Sequence, residues 1–184
     1  QPRVAYFCME YGLQSDLRIY AGGLGILAGD YLKGAKDHNY PIIGIGIKWK
    51  HGYSDQRIDE NGNPYVVYND YDYDYLIDTG VKVDVTVRGK NVACKVWRLE
   101  AFGSSTLYLL DTDLPENEDN WITGRLYGGS KDDRVAQEIV LGIGGVRALR
   151  KLGIEVDLYH FNEGHALLAG FEMMRGERSE EPHV

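Results

Sequence analysis

The chain has 184 residues, 43% of them hydrophobic, and a formal net charge of −8. That length and apolar content support one α/β domain of ordinary size with a packed core, and exclude wholesale disorder. The acidic balance argues against nucleic acid or an anionic membrane as main partner and favours a neutral polar substrate, because nothing here neutralises phosphodiester charge in bulk.

In chain order, the apolar run Val4–Met9 is the first strand. A polar loop, Glu10–Asp16, leaves it. Ala21-Gly22-Gly23-Leu24-Gly25 then opens a helix over Leu24–Asp37. Pro41–Lys48 is a second strand, apolar on both faces as a buried parallel strand requires. Strand, helix, strand implies a right-handed crossover. Residues from about 49 to 115 differ in texture and read as an antiparallel β insertion, either extending the sheet or forming a flap beside it. Asn61-Gly62 marks a hairpin. Tyr65–Tyr75 mixes tyrosine with aspartate, as a solvated edge strand or a sugar-contacting surface would. Val81–Val87 alternates cleanly, Val92–Leu99 returns, and Ser105–Leu110 adds a further strand. Arg125–Ser130 turns into a helix over Lys131–Leu152, with Val135, Ile139, Ile143, Val146 and Leu149 at helical spacing and Gly153 as its stop. Glu155–Phe161 is another strand and Gly164–Arg175 another helix. The polar tail 176–184 is expected to fray.

No apolar run approaches the roughly 18 residues of a transmembrane helix. Cys8 and Cys94 lie in apolar runs and read as buried reduced thiols, which fits a cytoplasmic location. The opening Gln1-Pro2-Arg3-Val4 is neither a signal peptide nor an initiator sequence, and reads as a cut just before a core strand.

Two stretches point to chemistry. The glycines at 22, 23 and 25 let backbone approach a ligand, and the helix start behind them offers orphan N–H donors and partial positive charge. That favours a phosphate or a polarised sugar oxygen. The second stretch, Tyr159-His160-Phe161-Asn162-Glu163-Gly164-His165, ends a strand where open α/β sheets place ligand groups. The Gly23–Ala28 pattern matches G-x-G-x-x-A, but residues 10–21 separate it from the first strand, unlike a dinucleotide site. His160, Glu163 and His165 lack the spacing of a metal motif, and no metal is expected. Neither a Ser/His/Asp set nor paired carboxylates for glycoside hydrolysis can be picked out.

Taken together, Val4–Leu13, Ile19–Asp30, Arg125–Gly129 and His160–His165, with Gly52-Tyr53 and Gln56–Ile58, resemble the bacterial and archaeal α-glucan (glycogen/maltodextrin) phosphorylases. The resemblance covers nearly the whole chain. It implies a Rossmann-like N-terminal lobe of a GT-B glycosyltransferase, with a parallel central sheet and an antiparallel insertion. It also implies phosphorolysis of terminal α-1,4-linked glucose by orthophosphate to glucose 1-phosphate. The cofactor would be pyridoxal 5′-phosphate (PLP), serving through its phosphate. By position, Gly22, Gly23 and Leu24 would bind the substrate phosphate, with Gly23 facing the cofactor. His165 would present its main-chain carbonyl to the developing glucosyl cation and its ring to the sugar's 6-hydroxyl. Glu10 matches the family glutamate near the active centre. Asn162 and Tyr127 would contact substrate, with Tyr127-Gly128-Gly129 starting a mobile loop. That loop continues Ser130-Lys131 rather than Asp-Asn, which leaves its sugar contact open.

The Schiff-base lysine of the family lies in a C-terminal lobe that this sequence lacks. The chain therefore reads as residues 1–184 of an incomplete single lobe, inactive alone, with α-glucan, orthophosphate and the missing lobe as partners and homo-oligomer formation open. A glycogen or starch synthase is the nearest rival, but Tyr20 stands where synthases carry lysine and Gly164 where they carry an aromatic residue. A non-catalytic glucan-binding module and a dinucleotide-binding oxidoreductase are more distant rivals.

Overall fold

A computed structural model describes residues 1–179. Its centre is a six-stranded sheet in the order β5-β6-β7-β2-β1-β8. The strands are β1 (Val4–Phe7), β2 (Ile42–Ile47), β5 (Ile77–Val87), β6 (Lys90–Leu99), β7 (Leu107–Asp111) and β8 (Leu158–Phe161). β1 pairs in parallel with both β2 and β8, and β2 with β7, while β6 and β5 extend the sheet antiparallel beyond β7. A separate two-stranded hairpin holds β3 (Asp55–Ile58) and β4 (Pro64–Val67).

The α/β class and the crossover from β1 through α1 (Gly23–Asp37) to β2 agree with the sequence. Strands β1 and β2 are buried almost throughout, as a parallel sheet covered on both faces demands. Both expectations for the middle region hold in part. The β5–β6 pair extends the main sheet, and the Asn61-Gly62 hairpin stands beside it. The 107–111 strand differs from expectation. It is antiparallel to β6 but parallel to β2 in the core, so the central sheet gains a fourth parallel strand. Of the Tyr/Asp stretch only Tyr65–Val67 is strand; Tyr73 is buried, and its ring lies parallel to that of Tyr71.

The long helix also departs from its expected form. α2 (Lys131–Ile139) and α3 (Gly145–Lys151) are joined by a π-turn at Val140–Gly144. The extra residue of such a turn shifts the buried face. Val135 is therefore largely exposed, while Ala136, Val140 and Leu141 are buried ahead of Val146 and Leu149. A Cβ on Gly142 would fall 2.6 Å from the Ala169 nitrogen, and one on Gly145 2.5 Å from the Phe7 ring. The helix thus packs closely against α4 (Leu168–Ser179) on one side and the sheet on the other. Gly153 ends the helix at φ +69°, with its N–H donating to the Arg150 carbonyl. The helix expected from Gly164 begins as a 3₁₀ turn at Gly164–Ala166 before α4. Residues 176–179 of the tail expected to fray are helical. The remainder of that expectation, 180–184, lies outside the described residues.

Tyr6 and Cys8 sit in the buried sheet. Burial pushes the Tyr6 hydroxyl up to about 12 and the Cys8 thiol up to about 11. Both are neutral when protonated, and the unfolded chain would ionise them near 10 and 9. Their raised values therefore cost nothing below pH ~9, and stability falls as pH rises from about 9 to 12. Alkaline titration followed by circular dichroism should show unfolding in that window. Cys8 and Cys94 are both unpaired and buried, so neither should react with a thiol reagent until denaturant is added.

Candidate active site

Ordering the sheet places β1 between β2 and β8, so the chain leaves β1 toward one neighbour and returns on the other side. A crevice at the carboxyl ends of such strands is where α/β sheets bind ligands. Two loops that open there are residues 8–22 after β1 and residues 162–164 after β8.

Glu10 organises the first loop. It is 3% exposed. Its Oε2 accepts from the backbone N–H groups of Ala21 (2.5 Å) and Gly22 (3.1 Å), and its Oε1 accepts from the Tyr127 hydroxyl at 2.8 Å. A buried carboxylate is tolerable here because three donors replace its water. The residues between Glu10 and the glycines, which separate this loop from a dinucleotide fingerprint, form the return path that lets Glu10 reach forward to the helix start.

The glycines divide by task. Gly25 and Gly29 are packing glycines. A Cβ on Gly25 would lie 2.5 Å from Tyr20 Cβ and 2.8 Å from Glu10 Oε2, and one on Gly29 only 2.1 Å from the Gly12 carbonyl oxygen. Gly22 and Gly23 have nothing within 4 Å of where a Cβ would stand. Both are exposed and neither has a positive φ. The Gly22 N–H is already held by Glu10. The Gly23 and Leu24 N–H groups have no acceptor among the described residues. They head a 15-residue helix with no acidic residue in its first turn; the one carboxylate shown at this helix start, Glu10, is turned to the Ala21 and Gly22 amides.

Tyr127 brings the two loops together. It comes from the 125–130 turn and sits at φ +57°. Its hydroxyl holds Glu10 and its ring lies 5.7 Å from the His165 imidazole, centroid to centroid. Burial first, and its bond to Glu10 second, push the hydroxyl well above the usual tyrosine range, so it serves as a donor to the carboxylate at every working pH. Glu163 at the β8 exit is likewise at φ +59°. The His165 Nδ1 is buried without a hydrogen-bond partner. Asn162 is fixed by its N–H to the Phe7 carbonyl (2.9 Å) and its Nδ2 to the Tyr6 hydroxyl (2.6 Å), while its Oδ1 accepts from nothing.

Thus Glu10, Gly22, Tyr127 and His165, four residues singled out in the sequence, form one connected cluster, with Gly23 and Leu24 beside it. Asn162 is tied instead to Tyr6. His160 packs its ring on Tyr6 and Tyr31, away from this cluster's contacts. Among the described residues, no three His, Cys, Asp or Glu side chains gather as metal ligands.

Sequence reasoning missed Arg134. Its guanidinium lies 4.7 Å over the Tyr127 ring, and its Nε is buried without a partner. Among the described residues it makes no ion pair; the neighbouring Asp133 is taken by Arg88 (2.9 Å) and by the Ser130 cap. The signal available was Ser130-x-x-Asp133, a capping box that fixes where the helix starts and so which residues face Tyr127.

No family model matches the chain. It is 42% identical over 179 residues to a maltodextrin phosphorylase of Thermococcus litoralis, covering 92% of this chain and 21% of that protein. It is 39% identical over 188 residues to a glycogen phosphorylase of Mycobacterium tuberculosis, covering 94% and 22%. An uncharacterized protein of Methanocaldococcus jannaschii is 42% identical over 174 residues, covering 92% and 33%. The chain thus spans about a fifth to a third of the length of the curated relatives it matches. Over nine-tenths of its own length, the chain matches a segment of the maltodextrin and glycogen phosphorylase family.

Proposed function

We propose that this chain supplies half of the active-site cleft of an α-1,4-glucan phosphorylase, the first lobe of a GT-B glycosyltransferase in the cytoplasm. The observation that carries the reading is the pair of unspent amides at Gly23 and Leu24, at the start of α1. Tyr127 links that helix start to a histidine whose Nδ1 is unpartnered. Two backbone donors and a helix dipole suit a phosphate dianion. The imidazole suits a sugar hydroxyl.

Each residue then has a task. Glu10 fixes the glycine loop by holding Ala21 and Gly22. Gly23 and Leu24 donate to the substrate phosphate, in open space that a side chain on either glycine would occupy. His165 holds the glucosyl ring through its imidazole and turns its carbonyl to the positive charge that develops at the anomeric carbon. Tyr127 keeps Glu10 and His165 at a fixed separation, and Asn162 offers an unpaired acceptor to a second hydroxyl. The cradle over Gly22 and Gly23 also fits the phosphate of PLP. That cofactor, when bound, supplies a phosphate group that exchanges a proton with the substrate phosphate. Its lysine, and the basic residues for both phosphates, come from polypeptide beyond this segment. The apolar stripe Leu167, Phe171 and Met174 beside the edge strand β8, each more than half exposed, is where that polypeptide would dock.

Gly23→Asp tests the reading. The new Cβ has nothing within 4 Å in the folded chain, and the side chain places a negative charge at the proposed phosphate position. Glucose 1-phosphate affinity measured by calorimetry should fall at least tenfold while the melting temperature stays within a few degrees. Unchanged affinity would remove the anion site. The chain alone should form no glucose 1-phosphate from maltodextrin and orthophosphate, and a purified sample that does so would contradict the half-cleft reading.

A further inference from the structure

The residues on either side of Tyr127 have a second environment. Arg125, Gly128 and Gly129 line a cavity of about 290 Å³ that His51, Trp121 and Gln137 close from other elements. That is close to the ~300 Å³ lower edge of ordinary small-molecule sites. Gln137 is 2% exposed. Its Nε2 donates to the carbonyls of Ile122 (3.2 Å) and Arg125 (3.0 Å), but its Oε1 accepts from nothing. A buried amide oxygen left without a donor is uncommon in a folded chain and calls for an explanation. Arg125 has no carboxylate partner among the described residues; its guanidinium stacks on Tyr68 at 3.9 Å. The His51 Nδ1 lies 2.7 Å from Asp70 Oδ1 but out of hydrogen-bonding geometry. Trp121 is 37% exposed.

We propose that this cavity is a second sugar-binding site, which takes one or two units of a neutral α-glucan. The chemistry selects that class. The indole offers an apolar face to sugar C–H groups, Arg125 offers donors to hydroxyl oxygens, and Gln137 Oε1 needs an O–H. A phosphate dianion would set its negative oxygens against that carbonyl oxygen and be repelled by it. Gln137 lines the cavity, so a hydroxyl seated there is the donor its Oε1 lacks, and Arg125, Gly128 and Gly129 bring the 125–129 turn against the same ligand. Tyr127 rides on the same turn. A glucan seated here therefore sets the position of the side chain that joins Glu10 to His165, coupling occupancy of the outer site to the shape of the inner one. The glucan identity rests on the function proposed above, whereas the cavity and its unpaired acceptor do not.

The test is maltotriose binding to the chain in the absence of phosphate, followed by the Trp indole N–H signals in NMR and by calorimetry. Maltotriose should move the indole signal of Trp121 but not that of the buried Trp49. Both Trp121→Ala and Arg125→Ala should weaken binding at least tenfold. Arg125 is exposed, so its variant remains informative if Trp121→Ala does not fold. Binding that survives Arg125→Ala unchanged, a maltotriose complex that leaves Trp121 unmoved, or no binding at all would overturn the site. Orthophosphate displacing maltotriose at Trp121 would overturn its assignment to sugar. None of these results bears on the Gly23→Asp experiment, so failure here leaves the phosphate site standing.

Discussion

Gly29→Ala should cost the fold about 3 kcal/mol or more, because the added methyl has nowhere to go. Its Cβ would stand 2.1 Å from the Gly12 carbonyl oxygen and 2.7 Å from the Gly12 carbonyl carbon. Both are backbone atoms, and no rotamer change relieves the clash. The Gly12 N–H also donates to the Gly25 carbonyl at 2.7 Å, so the loop after β1 cannot lift away without losing a hydrogen bond. For a domain of this size each kcal/mol moves the melting temperature by roughly 2–4 °C, giving an expected fall of roughly 6–12 °C. Gly22→Ala and Gly23→Ala, two residues in the same motif, meet nothing and should stay within about 0.5 kcal/mol of the parent. Thermal melts of the three variants separate glycines kept for packing from glycines kept open. Equal losses at all three positions would show that the loop is not built as described.

Glu10→Ala is the second large effect. The substitution strips the acceptor from two backbone N–H groups and the Tyr127 hydroxyl at once. Hydrogen bonds to a charged group contribute about 1.5–3 kcal/mol each, but the N–H groups at Ala21 and Gly22 can recover water, so the net loss should be about 3 kcal/mol. Glu10→Gln keeps one acceptor while turning an NH₂ toward a donor, and should cost less in stability, about 1–2 kcal/mol. Binding should respond differently. Either change frees the glycine loop and Tyr127, so glucose 1-phosphate affinity should fall at least tenfold in both variants. A Glu10→Gln chain that binds like the parent would show that the carboxylate supports the fold but not the site.

The parallel half of this fold was legible because its strands are buried on both faces and its glycine loop is punctuated by residues that do little else. The β5–β6 pair was legible through the alternation of Val83, Val85 and Val87. The 107–111 strand was misplaced because a short apolar run carries no mark of its direction. Its pairing with β2 is a long-range choice made by the sheet. The π-turn escaped notice because helical periodicity carries no mark of an inserted residue, and the close approach of the Ala169 backbone to Gly142 is a long-range contact invisible to it. At the site, Glu10, Gly22, Tyr127 and His165 were found through motif order, and their convergence follows from β1 lying between β2 and β8. Arg134 was not found, since an arginine on an exposed helix turn looks like any solvated charge until the ring beneath it is known. Nor could the sequence reveal that Glu10 takes the Gly22 amide and leaves those of Gly23 and Leu24 without an acceptor among the described residues.

The convergence of the two loops on one ligand is tested most directly by titrating ¹⁵N-labelled chain with glucose 1-phosphate, whose phosphate and glucosyl ring report on both halves of the site. The amide signals of Gly23 and Leu24 and the ring signals of His165 should shift together along one saturation curve. Shifts confined to one of the two loops, or saturating at different concentrations, would contradict a shared ligand.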